Sequence, residues 1–284
     1  MTTERVAVVT DSTSCLPAAT LERLRIGVVP LRVTLGHRTA VDDGVDVTSA
    51  QVTRALRDRQ VVRTSRPTPA EFAAAFRAQL EAGAARVVSV HLSAALSGTW
   101  ESATLAAQDF PHGVVRVVDS RSTAMGLGFA VIAAAECARD GGSAAEVQGA
   151  ATASVDGTRT MFYVDTLEHL RRGGRIGTAA TLFATSLSIK PLLQMVEGQI
   201  VPLEKVRTSS RALARLVELT IAAAGTGPVD LAVHHLAAAD KATALEAQLR
   251  SAIPGVRQTY VAELGAVIGA HLGPGVLGTV LVRR

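Results

Sequence analysis

Several things this sequence has little of, or lacks altogether, narrow what it can do. Cysteine is confined to Cys15 and Cys137. The two form no C-x-x-C pair and stand at no metal-ligand spacing with histidine, so two free thiols in a reducing compartment and no bound metal are expected. Aromatic residues are 3% of the 284 positions, and no basic run carries interleaved aromatics. With a net charge of only +4, that argues against nucleic-acid binding. No apolar stretch reaches the roughly 18 residues of a membrane span. The chain opens on an apolar strand-like run without a basic segment before it, so a cytoplasmic location with at most transient membrane contact is expected. G-x-G-x-x-G does not follow the first strand, and G-x-x-x-x-G-K-[ST] is absent, which removes the commonest nucleotide-binding loops. There is no internal repeat and no low-complexity linker.

What is present is a folding composition, 48% hydrophobic and 19% charged, long enough for one large or two ordinary domains. Its most informative feature is a pattern that recurs four times in the first 120 residues. Apolar β-branched runs at 6–9, 61–62, 87–92 and 114–118 each stop at short polar residues: Thr10-Asp11-Ser12-Thr13-Ser14, Thr64-Ser65, Ser93 with Ser97-Gly98-Thr99, and Asp119-Ser120. In an open parallel sheet the carboxyl ends of neighbouring strands face one crevice. The hydroxyls are therefore expected to converge on a ligand with a small, acceptor-rich head group, either carboxylate, phosphate or a water network.

The expected fold class is α/β. Up to residue 157, β-branched runs alternate with Ala-rich helical segments, predicting a mostly parallel sheet with helices on both faces. Thr68-Pro69-Ala70-Glu71 and Ser143-Ala144-Ala145-Glu146 are capping boxes that start two of the helices. A further helix over 96–107 places Ser97-Gly98-Thr99 at its N-terminus, where unpaired N–H groups outline an anion site or the hydroxyls simply cap the helix. From 158 to 284 the pattern changes to strands over 159–164, 187–195, 200–206, 231–235, 259–264 and 279–282, with a turn at Glu197-Gly198-Gln199 and helices over 210–224 and 240–253. This predicts a second, α+β domain with a mainly antiparallel sheet, and a ligand bound between the two domains.

Taken together, Thr10-Asp11-Ser12, Thr64-Ser65-x-Pro67-Thr68, Ser93-x-x-Leu96-Ser97-Gly98-Thr99, Asp119-Ser120, Leu170-x-x-Gly173-Gly174-Arg175-Ile176, Lys190-Pro191 and His271-x-Gly273-Pro274-Gly275 closely resemble the DegV family. The resemblance implies a bacterial fatty-acid-binding protein of two α/β domains. Such a protein holds one long-chain fatty acid and presents its carboxylate to a separate ATP-dependent kinase subunit, yielding an acyl phosphate; it is a binding subunit, not an enzyme, and needs no cofactor. By the same resemblance Thr64, Ser65, Ser97, Gly98 and Thr99 bind the carboxylate. His271 is counted with them and, like Arg175, is expected near the cleft mouth. Two positions depart from the family pattern: Arg66 where Gln is common, and Trp100 where Tyr is common.

A fatty carboxylate in an apolar tunnel must be satisfied by donors. Neutral hydroxyls and N–H groups would leave it more reactive than a bidentate arginine would. Candidates for the tail channel are Phe162, Leu182, Phe183, Leu187, Ile189, Leu192, Met195 and Ile268, each of which also reads as ordinary core. Asp11 and Asp119 at strand ends read as acceptors for loop N–H groups, and His234 and His235 as structural. Arg207, Arg211 and Arg215 recur every four residues and form either a solvated face or a docking stripe for an acidic partner. Two other functions stay open, a binder of a small phosphorylated metabolite and a serine esterase using Ser97 with His271 as base. The esterase lacks a G-x-S-x-G elbow.

Overall fold

A computed structural model of the chain describes residues 4–177 and 190–284. β1 (Val6–Asp11) is followed by a single 3-10 turn (Ser12–Ser14), α1 (Ala18–Leu24), β2 (Gly27–Val29), β3 (Arg32–Leu35) and β4 (Arg38–Val41). Next come α2 (Ser49–Arg57), β5 (Val62–Ser65), α3 (Pro69–Glu81), β6 (Arg86–His91), α4 (Thr99–Ala107) and β7 (Val115–Asp119). α5 (Met125–Arg139) and α6 (Ala144–Gly157) lead into β8 (Thr158–Tyr163) and α7 (Glu168–Arg172). The rest is β9 (Lys190–Val196), β10 (Gln199–Val206), α8 (Ser209–Ala224), β11 (Val229–His235), α9 (Ala239–Ala252), β12 (Val256–Glu263), α10 (Ala266–Leu272) and β13 (Leu277–Arg283).

The chain divides into two compact units. One runs to Arg32 and resumes from Ser65 to Asp156; the other comprises Val33–Thr64 and Gly157–Arg284. The first unit holds a four-stranded sheet in the order β2-β1-β6-β7, every pair parallel. All six residues of β1 are buried, as in a strand covered on both faces: Val6 to Val9 are apolar, and the buried Thr10 and Asp11 that close it are hydrogen-bonded internally. Alternation sorts its side chains. Ala7 and Val9 join Val87, Phe72 and Phe76 of α3 and Ala103 and Ala106 of α4 in one core cluster. α5 packs on β1 and β6 from the opposite face and is buried from Met125 to Ile132. Helices on both faces follow from this, as the sequence pattern predicts.

The second unit carries a six-stranded sheet in the order β10-β9-β8-β13-β11-β12. Only β11 and β12 pair in parallel; the other four pairs are antiparallel. Glu197 and Gly198 link β9 to β10 with φ of 47° and 79°, the positive pair that a two-residue I′ hairpin turn requires. Pro202 lies in β10, which is an edge strand where a missing N–H costs no ladder bond. Met161, Tyr163, Leu192, Leu231, Val233, Leu277 and Leu281 pack with Leu216 of α8 and Leu245 and Leu249 of α9.

Residues 33–64 group with the second unit, which differs from the expected division at 1–157 and 158–284. The physical reason is α10. Asp42 Oδ1 accepts from the first helical N–H, that of Ala266, at 2.9 Å, and Ser49 Oγ donates to Leu264 O at 2.7 Å. Residues 33–64 also supply nearly all of the three-stranded sheet β4-β3-β5, which begins at Arg32 and ends at Ser65, and a third capping box, at Thr48 and Gln51. Composition carries no trace of this excursion, because it depends on side-chain bonds spanning more than two hundred residues.

The capping box that starts α3 is present as predicted. Thr68 Oγ1 accepts from Glu71 N, and Glu71 Oε2 accepts from Thr68 N at 2.8 Å. Arg32 also bonds both Glu71 carboxylate oxygens, which with the threonine bonds holds this carboxyl down at about 2. Thr68→Ala is expected to lower stability by about 1 kcal/mol, read as a lower urea midpoint with an unchanged m-value; an unchanged midpoint would remove the cap from the account of this helix.

Candidate functional site

In the first unit the polar residues at the strand ends are organised by one carboxylate. Asp11 is fully buried. Its Oδ1 accepts from Thr13 N at 3.0 Å and Thr13 Oγ1 at 2.5 Å, and its Oδ2 accepts from Leu92 N and His91 Nδ1, both at 3.0 Å. His91, also fully buried, meets Ser89 Oγ through Nε2 at 2.6 Å. A Ser-His-Asp chain therefore exists here. With Ser89, His91 and Asp11 all at 0% exposure it has no route to a substrate, and its role is structural. Asp119 acts the same way at the end of β7, its Oδ1 accepting from Ala94 N at 3.2 Å and Arg121 N at 2.8 Å.

These acceptors consume the loop N–H groups in turn. After Leu92, Ser93 N donates to Ser122 O at 2.8 Å, Ala94 N to Asp119, Ala95 N to Ser93 Oγ at 3.2 Å, and Leu96 N and Ser97 N to Ser93 O at 3.0 and 3.1 Å. α4 then begins at Thr99, later than the predicted 96, and its N-cap residue Gly98 makes no side-chain cap bond. No described residue accepts from the N–H groups of Gly98, Thr99 or Trp100. Ser97 Oγ and Thr99 Oγ1 lie 2.9 Å apart beside them. Three N–H groups at the positive end of a nine-residue helix, with two hydroxyls, form a neutral donor set suited to an anionic oxygen.

Arg66 explains its own departure from the family pattern. Its Nη1 donates to Gly98 O at 3.2 Å and Glu101 Oε2 at 3.1 Å, so its charge is balanced by Glu101. A Cβ on residue 98 would lie 1.6 Å from that nitrogen; glycine admits the arginine. Ser65 is exposed at the end of β5.

In the second unit Thr64 and His271 are brought together, Thr64 Oγ1 lying 2.9 Å from His271 Nε2. Burial, followed by the nearby Arg175 charge, pushes the His271 imidazole down to about 4, so the ring is neutral at pH 7. Its Nδ1 is buried with no hydrogen-bond partner among the described residues. Two glycines seat the pair. A Cβ on Gly173 would lie 2.3 Å from His271 Nδ1, and one on Gly273, at φ 77°, would lie 2.2 Å from His169 Cδ2. The Gly173-Gly174-Arg175 and His271-x-Gly273 motifs thus interlock, each glycine receiving the other segment's histidine. Arg175 bonds Gly173 O. The Lys190-Pro191 and Gly275 motifs meet at Asp165: Lys190 Nζ donates to Asp165 O at 3.0 Å and Oδ1 at 3.1 Å, and a Cβ on Gly275 would lie 2.3 Å from Asp165 Oδ2.

The hydroxyl–imidazole pairs differ from those the esterase reading needs. The partner of Ser97 Oγ is Thr99, and the partner of His271 Nε2 is Thr64. The arginine stripe is shorter than predicted. α8 begins at Ser209, so Arg207 precedes it, and Arg215 is engaged by Glu204 and Glu218. Arg207 and Arg211 remain exposed, with no ion pair among the described residues. Among the tail candidates, strand register pairs Tyr163 with Leu192 and Phe162 with Leu193. Leu192 therefore lies in the helix-packed cluster, while Phe162 and Met195 share the opposite face. Ile268 is buried in α10; Leu182, Phe183, Leu187 and Ile189 lie outside the described residues. Among the described residues no group of three or more His, Cys, Asp or Glu could hold a metal ion. His234 is buried and bonds Ala262 O at 3.2 Å. Burial pushes its imidazole to about 4.

Sequence reading does not single out His91, His169, Asp165 or Tyr163. A signal exists for His91, since a polar residue closing a fully buried strand needs a partner and the neighbouring parallel strand ends in Asp11.

A parallel α/β unit with polar turns at its strand ends, joined to a unit built on a mixed sheet, defines a class of two-unit α/β proteins. The chain belongs to the DegV family: the family model described as "uncharacterised protein, DegV family" matches residues 5–284. A DegV domain-containing protein of Streptomyces coelicolor is 53% identical over 279 residues, 98% of this chain and 99% of that one. Among solved structures, a DegV family protein from Thermus thermophilus that binds fatty acid is 35% identical and superposes with a TM-score of 0.93 over 99% of this chain and 100% of its own. DegV of Bacillus subtilis, a fatty acid binding protein, is 31% identical with a TM-score of 0.89, covering 99% of this chain and 100% of that one.

Two predictions follow from the histidines. Gly173→Ala forces the His271 ring away from its place and should break the Thr64 bond, costing about 1–3 kcal/mol in urea unfolding. An unperturbed His271 environment in this variant's spectrum would contradict the interlock. His234 and His271 both resist protonation down to about 4, whereas unfolded histidine takes a proton near its ordinary value of about 6.5. Stability should hold above that value and fall as pH drops toward 4, by on the order of 3 kcal/mol per histidine. A urea midpoint independent of pH across this window would show that neither ring is held neutral.

Proposed function

We propose that this protein binds a long-chain fatty acid and presents its carboxylate to a separate ATP-dependent kinase subunit that forms the acyl phosphate. The observation that carries the reading is the neutral donor set at Ser97, Gly98, Thr99 and Trp100, in which three N–H groups have no acceptor among the described residues. The Thermus thermophilus and Bacillus subtilis relatives, which bind fatty acid, support it. Thr64 and His271 are assigned to the same carboxylate, and Ser65 remains with them as a proposal. An unpaired buried N–H is rarer than an unpaired acceptor, which favours a His271 tautomer whose Nε2–H donates to Thr64 Oγ1. The threonine hydroxyl is then left as a donor toward the ligand. Phe162, Met195 and Ile268 are proposed tail contacts. Each buried methylene contributes about 0.8 kcal/mol, so a tail of about 16 carbons gives on the order of 10 kcal/mol before ordering costs. Affinity then resides in the tail and selection of an acid in the donors.

Neutral donors also suit the transfer step. A carboxylate held by hydroxyls and amides keeps more nucleophilic character than one locked in a bidentate arginine pair. The exposed Arg207 and Arg211, with Arg175, are proposed as the face that meets the kinase. In this reading the chain contributes no catalysis of its own and functions as a soluble cytoplasmic carrier. A small phosphorylated metabolite is the second reading, favoured by the same N–H groups at the start of α4.

Native mass spectrometry of the purified protein with organic extraction tests the proposal. A stoichiometric mass excess that extracts as a free fatty acid is expected. A protein that stays empty when offered fatty acids, or that releases a phosphate ester, would overturn it. Replacing Ser97 by Ala is expected to weaken fatty-acid binding about tenfold or more, as a bond to a charged group implies; unchanged affinity would remove Ser97 from the site. Arg211→Glu should slow kinase-dependent acyl phosphate formation while leaving lipid binding intact, and an unchanged rate would remove the arginine face.

A further inference from the structure

The buried Asp11–His91 pair lies outside the donor set but ends on the backbone that carries it. Asp11 and His91 are both at 0% exposure, and the edge of His91 packs on Phe72 with ring centroids 4.8 Å apart. Burying a carboxylate costs several kcal/mol in desolvation, and a well-packed apolar pair of similar volume is often as stable or more so. Stability of the sheet is thus a poor account of an aspartate at this place. An apolar pair cannot hold two loops in fixed directions. Asp11 does so, with one oxygen on Thr13 N after β1 and the other on Leu92 N after β6. Asp11 sets the first residue of the turn, Leu92, and every N–H after it up to Ser97 is also engaged, Ser93 by Ser122 O, Ala94 by Asp119, and Ala95, Leu96 and Ser97 by Ser93. The next three N–H groups are those of the donor set.

We propose that Asp11 and His91 are positioning residues for the head-group turn: they fix the backbone from Leu92 to Ser97 so that the N–H groups of Gly98 to Trp100 and the hydroxyls of Ser97 and Thr99 converge on one carboxylate. This rests on the fatty-acid reading above. His91 acts through its Nδ1, which donates to Asp11 Oδ2, while its Nε2 contact with Ser89 stays within β6. The two ring nitrogens therefore have separable roles. The amide of asparagine can reproduce the Nδ1 donor and leave Ser89 unpaired; that of glutamine reaches the Nε2 position and leaves Asp11 short of a donor.

The test measures dissociation constants of the full-length protein for a long-chain fatty acid and for the alcohol of the same chain length, in wild type, His91→Asn and His91→Gln. The acid-to-alcohol preference isolates the head group, because the tail contribution cancels. The preference should persist in His91→Asn and fall about tenfold in His91→Gln, the size of one lost bond to a charged group. Equal preference in all three proteins would show that the pair merely stabilises the sheet, and loss in both variants would show that the Asp11 link is not the route. Should the glutamine variant fail to fold, Thr13→Val removes the hydroxyl donor on the same carboxylate and is expected to lower the preference by a few-fold; no change would overturn the proposal. A wild-type protein that binds neither compound would fail the fatty-acid reading itself, and a wild-type protein that prefers the acid keeps the two questions apart.

Discussion

The carboxylate of Asp11 does for the first unit what no apolar residue could. Parallel strands end side by side, and each must pass into a loop whose N–H groups have lost their ladder partners. Unsatisfied and buried, those groups would cost more than the sheet gains from a further residue of pairing. Asp11 supplies four lone-pair directions where β1 and β6 end and fills all four, from Thr13 N, Thr13 Oγ1, Leu92 N and His91 Nδ1. Asp119 repeats the device one strand over, on Ala94 and Arg121. Because these carboxylates take the Leu92 and Ala94 donors, and Ser122 O and Ser93 take those of Ser93 and of Ala95 to Ser97, the donors left over are concentrated at one short stretch, the first turn of α4.

The second unit solves a different problem with glycine. α10 is only seven residues long and buried from Ala266 to Ala270, too short to be stable alone. It is held at its start by Asp42 and at its end by Thr64, both supplied by the 33–64 excursion. At its far end two histidine rings need room where backbone already passes. Gly173 and Gly273 provide that room by having no Cβ. The motif glycines therefore set where His271 lies more than they set any turn.

Beside the donor set of the first unit the one arginine that bonds its backbone is charge-balanced: Arg66 is matched by Glu101. The donors at the start of α4 are N–H and O–H groups, which select for an anion without neutralising it. In the proposed function this matters, because an arginine fork would retain a carboxylate more tightly but would leave it less reactive toward a phosphoryl group.

Much of this was legible in the sequence because it depends on local rules. The β-branched runs and their polar stops marked the parallel strands, and the Thr68 and Ser143 boxes marked two helix starts. Glu197-Gly198 marked the hairpin, and the ordered motifs marked the family. Each depends on residues within a few positions of one another, where backbone sterics and capping decide the outcome. Tertiary structure alone decided the rest: that residues 33–64 belong with the second unit, that Leu192 faces the core while Phe162 and Met195 face away, that His91 completes Asp11, and that His271 meets Thr64 from 207 positions away. The physical reason is common to all four. A hydrogen bond or a shared strand face between distant segments is set by register and packing, and a one-residue slip would reverse each of them without altering any local signal that the sequence carries.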